Sequence, residues 1–154
     1  PLLKKVILIG PDEEAFSRVE PEFKEKVEFL SRERLLEMEE TEVSAFVKNQ
    51  VGEYPLYISI DKDVLCETDA DTNWSQGDMR LSTMLECLGA VKEKCAERIS
   101  RILGVDICGE CDVTEPGNSA LNDMANAALL EFFTSTDVGE DIEENKNGTT
   151  GGNG

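Results

Sequence analysis

The sequence contains no histidine. That absence excludes Ser-His-Asp and Cys-His nucleophile systems built within this chain, and any zinc site that needs an imidazole. Aromatic residues are scarce, at 6%, with a single tryptophan. Basic residues are outnumbered: 15 Lys and Arg stand against 33 Asp and Glu, a formal net charge of −18. So acidic a surface is repelled by nucleic acid and by anionic membrane surfaces, and neither is expected as a partner. It suits metal cations and small guanidinium or amine ligands, and it also keeps a protein soluble. No apolar run approaches the roughly 18 residues of a membrane helix. No basic, apolar, small-residue opening marks a secretory leader. The chain starts at Pro1, directly on a strand-like run, so the natural N-terminus is expected to lie upstream. Five cysteines form an odd number without disulfide-framework spacing, which predicts a reducing, cytoplasmic setting.

Hydrophobic residues supply 40% of the 154 positions, enough for one domain with a real core. Residues 4–9 (KKVILI) form a short β-branched run closed by Gly10-Pro11 and read as a buried strand. A short helix over 12–19 follows, stopped by Pro21, and then a weaker strand over 27–30. Ser31 is placed to cap a helix over 32–39, and Thr41 another that ends at Gly52. Residues 55–60 (PLYISI) make the clearest strand. After a loop rich in Asp, Thr, Asn and Gly, Leu81, Met84, Leu85, Leu88, Val91 and Cys95 recur at helical spacing. Residues 101–107 read as a further strand. Leu121, Met124, Ala125, Ala128, Leu129 and Phe132 mark a last helix.

Apolar strands alternating with helices predict an α/β fold, a three-layer αβα arrangement with a parallel sheet covered on both faces. The domain is expected to end near residue 136. Residues 137–154 turn to Gly, Asn, Thr and acids, too few apolar groups to offset ordering entropy, and read as a disordered tail.

Ligands of parallel α/β sheets gather at the C-terminal ends of strands. Asp61 and Asp63 stand at the end of the best strand, where alternation puts them on one side. Two carboxylates so placed are donors for a hard divalent cation. Their context is Ser59-Ile-Asp61-Lys-Asp63-Val-Leu65, then Asp69-Ala-Asp71-Thr-Asn-Trp-Ser-Gln-Gly77 before the long helix. Val105-Asp106-Ile107-Cys108-Gly109-Glu110 ends the last strand.

In this order and spacing, over roughly residues 3 to 134, the chain resembles the C-terminal half of the ureohydrolases: arginase, agmatinase and formimidoylglutamase. The resemblance implies a partial arginase-like domain and a manganese-dependent hydrolase acting on guanidinium-type C–N bonds of a small cationic substrate. It places Asp61 and Asp63 among the ligands of a dinuclear Mn2+ centre. It sets Glu110 toward the substrate, and Thr72 in the loop that shapes the pocket. Self-association into a homo-oligomer stays open. Three departures accompany it. The loop reads Thr72-Asn-Trp-Ser-Gln-Gly77 where the family has Thr-Gly-Thr-Pro-x-x-Gly-Gly. Glu110 lies one residue later, relative to Asp106, than the family's glutamate. The family's histidine-bearing ligand motifs have no counterpart here, so the chain by itself is expected to be inactive.

Three rival readings follow from the same residues. Ile58 to Leu65 (ISIDKDVL) also matches the opening motif of haloacid-dehalogenase-like phosphatases. There Asp61 would be the nucleophile and Asp63 the acid–base group, with magnesium, and Asp106 and Asp112 would imitate the later acidic motif. Cys108-Gly-Glu-Cys111 has the spacing of a redox pair or half a zinc site, whereas Cys87 and Cys95 lie along a helix as packing residues. The third reading is an acidic α/β module without catalysis.

Overall fold

The computed structural model describes residues 3–98, 101–112, 114 and 119–135; the tail expected over 137–154 lies outside them. Strand β1 (Val6–Ile9) leads through two short helices, α1 (Glu13–Ser17) and α2 (Pro21–Lys24), to β2 (Val27–Leu30). The two strands pair in parallel, Val6 opposite Val27 and Ile9 opposite Leu30. Asp12 caps α1 by accepting the Ala15 amide at 2.6 Å. Pro21 does not stop a helix as expected but opens α2, since its missing N–H costs nothing at a first helical position.

Helix α3 (Arg32–Glu37) starts at Ser31, whose Oγ accepts the Arg34 amide at 3.2 Å. Helix α4 (Glu40–Gln50) is capped at Glu39 and not at Thr41. The Glu42 carboxylate reaches back to the Glu39 amide at 2.9 Å, so a glutamate three residues in satisfies a free N–H.

Strand β3 (Leu56–Asp61) runs into a single 3-10 turn, Lys62–Val64. The chain then loops to α5 (Leu81–Arg98), crosses to β4 (Ile102–Cys108), and ends its described part on α6 (Ser119–Thr134). β3 and β4 pair in parallel, with Ser59 opposite Asp106 and Asp61 opposite Cys108. The fold is therefore α/β with parallel strands, arranged as two two-stranded sheets among the described residues.

Ile60 of β3 joins Leu30, Val43, Val47, Leu65, Met84, Leu88, Ala125 and Leu129 in one apolar core, which α4 and α5 cover by packing on each other. Each large aliphatic side chain so buried contributes about 1.5–3 kcal/mol. The other face of β3–β4 is open: Tyr57, Ser59, Asp61, Asp106 and Cys108 are exposed. The strand thus alternates, which one-sided burial requires, in place of the two-sided cover expected from its composition.

Candidate functional site at the ends of β3 and β4

The strand period ends at Asp61 because the 3-10 turn takes over at Lys62. Asp61 Oδ1 accepts the Asp63 amide at 3.1 Å, which closes the turn. Asp61 itself is exposed and Asp63 half-buried. Asp63 Oδ1 is out of solvent contact and accepts no hydrogen bond; it is the one such buried side-chain oxygen or nitrogen among the described residues. A carboxylate oxygen left so costs free energy until a donor or cation meets it.

Lys62, between the two aspartates, is fully buried. Its Nζ donates to Glu110 Oε1 at 2.5 Å and to Asn126 Oδ1 at 2.8 Å. Its charge is thus neutralised by Glu110 and not by the neighbouring aspartates. Glu110 keeps a side chain 56% exposed. The Lys62 hydrogen bond, helped by Asn126, holds its carboxyl below the ordinary glutamate range. Gly109 makes this meeting feasible. It sits at φ +82°, and a Cβ there would stand 2.8 Å from the Lys62 backbone nitrogen and 2.9 Å from Asp61 Oδ1.

Cys108 is exposed and donates to the Ile60 carbonyl at 3.4 Å. Desolvation pushes its thiol pKa up, and the carboxylates of Asp61, Asp106 and Asp63 add to the shift. A redox or metal-binding thiol needs the opposite, a stabilised thiolate. Cys87 is buried, its pKa pushed up to about 11, and Cys95 is buried beside the same core, in keeping with packing roles. All five cysteines are free.

Thr72 Oγ1 donates to the Ser75 carbonyl at 2.6 Å, so it closes the loop tip. Asn122, 1% exposed, grips the loop from α6: its Oδ1 accepts the Asp71 amide at 3.0 Å and its Nδ2 donates to the Asp71 carbonyl at 2.6 Å. Asn73 Oδ1 accepts the Asp112 amide at 2.7 Å, tying this loop to the one after β4. Asn122→Ala should therefore destabilise the protein by about 2 kcal/mol, since it orphans two backbone groups. Urea denaturation reads the loss, and amide exchange at Asp71 should quicken with it. Unchanged exchange there would mean that the latch does not hold the loop.

The structure thus brings Asp61, Asp63 and Glu110 to one sheet end, with Thr72 in the loop attached above them. Sequence reading missed Lys62, Gly109, Asn122 and Asn126. Two asparagines four residues apart in a mostly apolar helical stretch (ALNDMANAALL) were the available signal for the last two.

The donor chemistry fits a hard divalent cation in part: two carboxylates leave the same turn, and one of their oxygens lacks a partner. Among the described residues no group of three or more His, Cys, Asp or Glu side chains is placed to hold a metal ion. No helix there is long and apolar enough to cross a membrane.

No family model matches the chain. An uncharacterized protein of Thermotoga maritima is 35% identical over 85 residues, which is 54% of this chain and 32% of that protein. The match thus spans about a third of the relative's length, and the ureohydrolase resemblance rests on the sequence motifs alone.

Proposed function

We propose that this chain carries part of the metal and substrate site of a manganese-dependent hydrolase of the ureohydrolase type, acting on guanidinium-type C–N bonds. The observation that carries this reading is the unpartnered, buried Asp63 Oδ1 beside Asp61 at the C-terminal end of β3. Asp61 and Asp63 would hold the cation. A divalent manganese ion bound there supplies Lewis acidity and lowers the pKa of water toward neutrality.

The chain's own residues do the rest. The Lys62–Glu110 pair keeps the lysine charge away from the aspartates, which leaves them free for a cation. Glu110, half exposed, turns its remaining carboxylate surface toward an incoming guanidinium. Thr72 fixes the loop that flanks it. The net charge of −18 draws small cations to the site and repels polyanions. Free cysteines fit a reducing, cytoplasmic setting. The resemblance puts further ligands on histidines, and this chain has none, so by itself it should release little urea from arginine or agmatine.

Manganese titration followed by water-proton relaxation tests the site. In about 0.3 M salt, diffuse attraction is screened beyond roughly 6 Å. One weak site is expected, with a Kd of about 0.1–1 mM, as for other open carboxylate sites. Asp61→Ala with Asp63→Ala should abolish it. Enhancement unchanged by the double substitution would remove both aspartates as ligands, and the non-catalytic acidic module would then be the better reading.

A further inference from the structure

Trp74 is 88% exposed, more than any other large apolar side chain among the described residues. Its loop is not loose. Asn122 grips Asp71, Thr72 closes on Ser75, and Asn73 takes the Asp112 amide. Gln76 Nε2 donates to the carbonyls of Leu65 at 2.6 Å and Ala70 at 3.2 Å. An indole on a slack loop can fold back on the core; here the flanking bonds hold the loop that presents it to water.

The place of that loop follows from α6. Asn122 holds Asp71, and Asn126, one turn further, holds Lys62 and Glu110. Residues four apart on a helix stand about 5–6 Å from each other. The Trp74 loop and the Asp61–Asp63 turn are therefore anchored side by side on one helix face. Arg80 and Arg32 neutralise Asp69 and Asp78 of the Trp74 loop. Asp71 on that loop, Asp112 on the loop after β4 that Asn73 holds, and Asp61 and Asp63 on the neighbouring turn still leave a surplus of negative charge around the indole. A flat aromatic face in such a field suits a cation, and a planar guanidinium best.

We propose that Trp74 is the cation-stacking wall of this site: its indole face receives the guanidinium or ammonium end of the small substrate and so sets specificity. The substrate class rests on the hydrolase reading above, whereas the stacking rests on the loop geometry.

Trp74 is the chain's only tryptophan, so its fluorescence reports this one residue. Agmatine is titrated into the full chain at constant ionic strength, with potassium chloride and the uncharged planar analogue butylurea as comparisons. A saturable emission change with agmatine is expected, none beyond the salt baseline with potassium chloride, and weaker binding of butylurea. By calorimetry, Trp74→Ala should weaken agmatine binding by about three- to thirtyfold, with Trp74→Phe between. Emission that only follows ionic strength, or unchanged affinity in Trp74→Ala, overturns the proposal. Manganese titration on the same samples separates the two readings. Manganese bound with Trp74 silent removes the stacking wall alone. A Trp74 response without manganese binding supports the wall and removes the hydrolase.

Discussion

Gly77→Ala is expected to cost about 3 kcal/mol or more, the largest single-residue loss at this sheet end. A Cβ at position 77 would lie 2.0 Å from the Val64 carbonyl oxygen and 2.6 Å from the Val64 Cα. Those are backbone atoms, so no side-chain rotation relieves the overlap. The backbone that would have to move is also the one that fastens the loop. Met79 donates to the Val64 carbonyl at 3.0 Å, and Cys66 donates to the Met79 carbonyl at 2.8 Å. Leu65 and Met79 form an isolated parallel bridge there, and both are buried. Displacing Gly77 would thus break two backbone bonds, pull Gln76 off Leu65 and loosen the turn that presents Asp63. Urea midpoints at constant m-value measure the effect. Gly89→Ala is the control: nothing lies within 4 Å of a Cβ there, and a helical glycine replaced by alanine should gain up to about 1 kcal/mol. Equal midpoints for the two variants would show that the loop does not need the close approach at Gly77.

Much of this fold is legible in the order of residues, because its signals are local. Short β-branched runs ended by Gly-Pro or Asp located β1 and β3. The three- and four-residue recurrence from Leu81 onward located α5, which spans Leu81–Arg98. Ser31 was readable as a cap because its hydroxyl serves an amide only three residues away. The errors are also local in origin. Pro21 stops one helix or starts the next with equal ease, and Glu39–Glu42 outcompetes Thr41 through a bond that composition does not show. The open face of β3–β4 was hidden because Tyr57 and Ile107 look apolar on paper, while Ser59 and Asp61 carry the true alternation. Site residues divide the same way. Asp61 and Asp63 announce themselves at a strand end. Lys62 reads as a solvated charge between two acids, and only long-range pairing with Glu110 and Asn126, 48 and 64 residues on, explains its burial.

That buried pair supplies the second large effect. Glu110→Gln keeps an acceptor oxygen but removes the neutralising charge. The fully buried Lys62 ammonium is then left with neutral side-chain acceptors only, and the substitution should cost about 2–3 kcal/mol. The half-exposed state of Glu110 keeps the figure below that of a fully enclosed pair. Lys62→Met removes the charge together with its desolvation penalty and keeps most of the volume, so its cost should stay near or below about 1 kcal/mol. The ordering is the test: neutralising the charge partner must hurt more than removing the buried charge itself. The sign with pH follows from the same bond. Lys62 lowers the Glu110 pKa in the folded protein, so the folded state favours the ionised carboxyl. Its contribution is complete above the unfolded glutamate pKa of about 4.3 and drains away as pH falls through the lower folded value. The stability gap between the wild-type chain and Glu110→Gln should therefore be widest near neutrality and close in acid. Lys62→Met, which has no such bond, should lack that acid-dependent component. Denaturant midpoints from neutral pH down through the folded Glu110 pKa decide it. Parallel profiles for the wild-type chain and Glu110→Gln would mean that Glu110 does not hold Lys62 in solution.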